Sequence, residues 1–110
     1  MYNVTLRQSE SKIERREDFK ASSLMGYLRY DGSYVVYSYS TCIAEYRDGV
    51  WYVNDTHYSV TTSKHQHIVR MAMWATEYVT VIGVRYGADT LYDRIGATAV
   101  LRANRIRQHA

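Results

Sequence analysis

The chain predicts an α+β fold: a tyrosine-rich antiparallel β-meander with a helix packed on it and a C-terminal helix. Three observations carry this. Asp31-Gly32 and Asp48-Gly49 suit the positive backbone angles of two-residue type I′ turns, and each lies between aromatic and β-branched residues. Ile68, Ala72, Ala75 and Val79 then recur at helical spacing, behind the polar start Thr61-Thr62-Ser63-Lys64-His65-Gln66. Finally, there are 12 tyrosines against a single phenylalanine. A tyrosine ring pairs a flat apolar body with a polar tip, which suits half-wet sheet faces and recognition surfaces.

In chain order, residues 1–20 are expected to form a short edge strand at Asn3–Arg7 and then a connector or solvated helix. Its charges, from Glu10 through Lys20, mix both signs. Residues 21–60 make the meander. If Asp31-Gly32 is a two-residue loop, Tyr30 faces Ser33, Leu28 faces Val35 and Tyr27 faces Val36; the second turn sets Tyr46 against Trp51 and Ala44 against Val53. The middle strand, Ser33–Tyr46, changes phase, since Val35, Tyr37 and Tyr39 alternate out of step with Cys42, Ala44 and Tyr46. A bulge near residues 38–41 would restore one face. After the Asn54-Asp55-Thr56 turn, residues 57–60 are expected to form a fourth extended piece.

Ser63 with Gln66 forms a capping box that opens a helix over 63–77, with Thr62 as the other candidate cap. Val69 and Met73 widen its apolar stripe towards the sheet, whereas Met71, Trp74 and Tyr78 point elsewhere and mark a candidate homodimer interface. The valine-rich run 78–86 favours a strand. A last helix is expected over 89–108, with Leu91, Ile95, Ala99, Ala103 and Ile106 on one stripe. Arg94, Arg102 and Arg105 lie on its flank, with Arg107 just beyond.

A length of 110 residues fits one domain, and no repeat or low-complexity tract divides it. The net charge of +3 is a mild bias towards acidic partners. Cys42 is the only cysteine, which excludes an internal disulfide and points to a reducing cytoplasm. No secretory leader or membrane-spanning run is expected, because every apolar stretch falls short of the roughly 18 residues a span needs.

No motif for nucleophilic catalysis, a phosphate-binding loop or an acid pair is present, so no catalytic residue and no cofactor is assigned. A metal site is not expected either. His65 and His67 are two apart, which turns them about 200° from one another on a helix. The helix start is the better candidate. Free amides there attract anions, and Thr61, Thr62, Ser63, Lys64, His65 and His67 add hydroxyls and cationic or donor groups, although the hydroxyls could serve as caps alone. Arg94, Arg102, Arg105 and Arg107 offer an alternative, a nucleic-acid-binding flank assisted by exposed tyrosines.

The stretches Tyr37-Ser38-Tyr39-Ser40-Thr41, Ile43-Ala44-Glu45-Tyr46 and Tyr58-Ser59-Val60-Thr61-Thr62-Ser63-Lys64-His65-Gln66 resemble small uncharacterised proteins encoded by bacteriophages and prophages. The likeness spans Phe19 to Val69, and Tyr-Ser-x-Thr-Thr-Ser-x-His-Gln is its most specific part. It implies a phage accessory protein, supplies no catalytic residues, and adds Tyr58 and Gln66 to the candidate contact residues. The expected function is non-catalytic binding of a host or phage protein, in the host cytoplasm.

Overall fold

A computed structural model describes residues 3–91 and the backbone of residues 99–103. Its first helix begins where an edge strand is expected. Thr5 accepts from the Gln8 amide (3.2 Å) and the Gln8 side chain accepts from the Thr5 amide (3.0 Å), a reciprocal cap that starts α1, Leu6–Glu14. Asn3 alone pairs in strand fashion, in a parallel bridge with Lys20. Ile13 on α1 is fully buried, so this charged segment presents an apolar side to the core.

Five strands follow in meander order: β1 Phe19–Ala21, β2 Leu24–Leu28, β3 Tyr34–Ser38, β4 Thr41–Arg47 and β5 Val50–Asn54. Asp48 (φ 54°) and Gly49 (φ 81°) make the expected two-residue turn, and Tyr46 faces Trp51 while Ala44 faces Val53. The first hairpin is shifted by one residue. Leu28 faces Tyr34 and Tyr27 faces Val35, because Tyr30-Asp31-Gly32 forms a three-residue loop. Gly32 (φ 93°) takes the left-handed position of that loop. Asp31 stabilises it by accepting from the Ser33 amide and hydroxyl at 2.9 and 2.7 Å.

The long middle strand is two strands. A turn at Tyr39-Ser40, with Tyr39 at φ 57°, separates β3 from β4. The phase change is nevertheless met by a register shift, since Val36 faces Ala44 while Tyr37 faces Cys42, leaving Ile43 as the extra residue.

Residues 57–59 are not a strand. They lead to Ser59, whose hydroxyl accepts from the Thr62 amide (3.1 Å) and caps α2, Val60–Ala72. The helix therefore begins before the expected Ser63 cap and ends before residue 77. Val69, Ala72 and Met73 pack on the sheet as the stripe implies, but Ala75 is exposed. β6, Tyr78–Val81, pairs parallel to β5, so the sheet is mixed and β5-α2-β6 is a crossover unit. β7, Ala99–Ala103, pairs antiparallel to β6. The expected C-terminal helix is thus a strand over 99–103, and the rest of its range beyond residue 91 lies outside the described residues.

Both faces of the sheet are covered. The helices bury one face around Phe19, Tyr34, Val36, Ile43 and Trp51. On the other, Val35, Tyr37 and Cys42 pack against Val84, Ala88 and Leu91 of the segment that follows β6. Covering on both sides explains why every residue of β3 is buried.

Candidate functional site

Where the Tyr39 turn, the loop before α2 and the segment after β6 meet, they enclose a cleft of about 620 Å³ lined by Tyr39, His57, Tyr58, Ser59, Thr61, Thr62 and Tyr86. The three tyrosines come from distant parts of the chain. Tyr58 is held firmly: its hydroxyl donates to the Val84 carbonyl (2.6 Å) and accepts from Asn54 Nδ2 (3.0 Å). The Tyr86 ring lies 6.1 Å from that of Tyr58, tilted by 59°. Tyr39 and Tyr86 remain 50% and 66% exposed, and among the described residues no Lys, Arg, Asp or Glu lines the cleft. The arrangement offers π-faces edged with hydroxyl and amide groups, and hence stacking and neutral hydrogen bonding.

Of the residues expected at the site, Tyr58, Thr61 and Thr62 come together here, with the first turn of α2 beside them. Because α2 starts at Val60, Ser63, Lys64, His65 and His67 fall within the helix body, away from its amide end. Lys64 and His67 face solvent while His65 is buried, consistent with the opposed directions of the two histidines. Tyr39, His57, Ser59 and Tyr86 were absent from the sequence-based set. His57 adjoins the motif, Ser59 is its second residue and Tyr39 lies in the Tyr37–Thr41 stretch of the resemblance, whereas nothing local marks Tyr86.

Beneath the cleft lies a buried polar cluster. Ser38 Oγ is 2.7 Å from His65 Nδ1 and 3.0 Å from Thr62 Oγ1, and the Tyr39 ring lies 6.3 Å from the imidazole. Gln66 Nε2 donates to the Asn54 and Thr56 carbonyls at 2.8 and 3.0 Å, tying α2 to the end of β5. Ser38 is wholly buried beneath the cleft.

Burial lowers the His65 pKa from its ordinary 6.5, since the charged ring would lose its hydration. The unfolded chain therefore takes up a proton near pH 6.5 that the folded chain accepts only at lower pH. This stabilising contribution is complete above 6.5 and is lost as the pH falls through that value towards the folded pKa. Urea unfolding at about pH 7.5 and about pH 5.5 should show a larger loss of stability for the wild type than for His65→Asn, which can keep a bond to Ser38 but cannot titrate. An equal loss in both would show that His65 does not contribute.

Met71 and Trp74, expected at an oligomer interface, are 39% and 64% exposed, while Tyr78 is half-buried against the core. Arg94, Arg105 and Arg107 lie outside the described residues, and Arg102 falls on β7 in place of a helix flank. Among the described residues, no group of three potential ligands could hold a metal ion, and no helix is long and apolar enough to cross a membrane. Comparison with curated proteins and with solved structures finds no match. A family described only as one of unknown function, DUF8033, matches residues 7–72, which run from α1 through α2 and make up more than half of the chain; the chain belongs to that family.

Proposed function

We propose that this chain is a small non-catalytic binding protein, a phage-type accessory factor that seats a segment of a host or phage protein in the tyrosine cleft. The observation that carries this reading is the convergence of Tyr39, Tyr58 and Tyr86 on one open cleft. Tyrosine has few rotatable bonds, so a large contact area is gained at little conformational cost, and two of the rings are already largely exposed. The phage-type origin rests on the resemblance around Tyr58–Gln66. A nucleic-acid partner is less well matched, since among the described residues no lysine or arginine lines the cleft to meet phosphate.

The test is capture from a host lysate, with and without nuclease treatment, on the immobilised chain, run beside Tyr39→Ala and Tyr86→Ala. Both side chains are exposed, so their loss should spare the fold. A retained protein should be depleted roughly tenfold or more by each substitution, as for aromatic anchors at other interfaces. Retention that neither substitution changes would refute the cleft as the contact. Retention that disappears with nuclease alone would transfer the role to nucleic acid.

A further inference from the structure

The segment 82–91 leaves β6, crosses the outer face of the sheet and supplies Tyr86 to the cleft, yet it contains no helix or strand. Only Val84, Ala88 and Leu91 are buried in it, whereas Ile82, Arg85, Tyr86 and Asp89 face solvent. Polar groups of the body hold it down. Glu45 Oε1 accepts from the Leu91 amide (2.8 Å) and the Thr90 hydroxyl (2.7 Å), the Cys42 amide donates to the Ala88 carbonyl (2.7 Å), and the Gly87 amide donates to Thr41 Oγ1 (2.8 Å). The segment also lies beyond the family-matched residues 7–72, while the groups that grip it lie within them.

We propose that 82–91 is a displaceable strap, clasped by Glu45, whose docking completes the cleft and whose lifting dismantles it. Its small apolar contact and irregular backbone place it at the low-stability end of the fold. Lifting carries away Tyr86 and removes the carbonyl acceptor that fixes Tyr58, so two of the three rings are lost or freed together. As regulation of the cleft, this rests on the cleft being the contact site. A partner that grips Tyr86 would hold the strap down, and a docked strap would in turn favour the partner.

Cys42 reports on the strap directly. It is the sole cysteine and is fully buried between the sheet and Ala88, so a thiol reagent reaches it only when the strap lifts or the whole domain unfolds. Labelling of the full chain with a disulfide-exchange reagent, at urea concentrations below the unfolding transition, separates the two routes. Strap opening predicts a rate that depends on urea far more weakly than global unfolding does. Leu91→Ala should accelerate labelling in the absence of urea by roughly tenfold or more, and by more than its effect on global unfolding, because it removes the strap's deepest side chain. Thr90→Val, which deletes one clasp bond, should accelerate it by a smaller factor and serves if Leu91→Ala does not fold.

Labelling that follows the global urea dependence, or strap substitutions that act only in proportion to global destabilisation, would overturn the strap. The capture experiment is independent of that outcome. Strap-dependent labelling with Tyr86-independent capture would sink the cleft reading and leave a strap that does not regulate it, overturning the coupling proposed here.

Discussion

Replacing Glu45 with alanine is expected to cost about 3 to 5 kcal/mol of folding stability, the range for stripping one partner from a buried charged pair. Glu45 has no exposed surface. Its Oε2 accepts from Arg47 Nε and Nη2 at 2.9 and 2.7 Å, and Arg29 Nη1 approaches it at 4.0 Å. Its Oε1 holds the Thr90 hydroxyl and the Leu91 amide. The hydrogen bonds that Arg47 donates to Glu45 raise the Arg47 pKa, in keeping with a cation stabilised by this carboxylate. Alanine would take from Arg47 its two hydrogen bonds to Glu45, with Asp31 3.9 Å away as a more distant counter-charge, and would leave the Leu91 amide without this acceptor, at a desolvation penalty. Glu45→Gln should cost less, on the order of 1.5 to 3 kcal/mol, because an amide oxygen can still hold the strap while the charge that meets the arginines is gone. Urea unfolding followed by tryptophan fluorescence measures both. A loss below about 1 kcal/mol for alanine would mean that water satisfies Arg29 and Arg47 in place of Glu45.

How much of this was legible in the sequence depends on whether the controlling interaction is local. Asp48-Gly49 set its hairpin correctly because both residues tolerate positive φ and the loop has just two positions. The same dipeptide at Asp31-Gly32 misled by one register step, since Asp31 there bonds to Ser33 and recruits Tyr30 into a longer loop. The Tyr39-Ser40 turn was invisible: a tyrosine in the left-handed region is uncommon, and the surrounding pattern reads as continuous strand. At α2 the wrong capping hydroxyl was favoured, and at α1 no cap was expected at all. Thr5 with Gln8 carries a complete capping box that the alternation of Val4 and Leu6 masked, and Ser59 outcompetes Ser63 because capping there lets Thr62 and His65 turn inward to Ser38. That choice is tertiary and leaves no mark on the local residues.

The candidate site was half legible for the same reason. Tyr58, Thr61 and Thr62 fall in one short motif and do line the cleft, but Tyr39 and Tyr86 reach it only through the β3-β4 turn and the strap. The abundance of tyrosine was a poor guide to which rings line the cleft. Tyr34 is wholly buried, its hydroxyl donating to the Glu17 carbonyl at 2.7 Å and its ring set edge-on to Trp51, so it belongs to the core.

That core position makes Gly26→Ala the second large effect, a loss of about 3 kcal/mol at the upper end of the range for overpacking. An alanine in a strand interior ordinarily gains roughly 0.5 to 1 kcal/mol over glycine, so even the sign is diagnostic. Gly26 sits on β2 between Phe19 and Val36, and a Cβ there would run into the Tyr34 hydroxyl, Phe19 Cε1 at 2.6 Å and Tyr34 Cζ at 3.0 Å. Neither ring has room to yield. Both are fully buried, and moving Tyr34 would break its bond to Glu17 and its contact with Trp51. Removing the hydroxyl relieves only the nearest of these contacts. In a Tyr34→Phe background the cost of Gly26→Ala should therefore shrink by about 1 kcal/mol without vanishing, as a double-mutant cycle of urea unfolding would measure. A neutral or stabilising Gly26→Ala would mean that β1 and β2 separate easily at this point, and that the packing of Phe19 against Tyr34 does not hold the first hairpin to the helices.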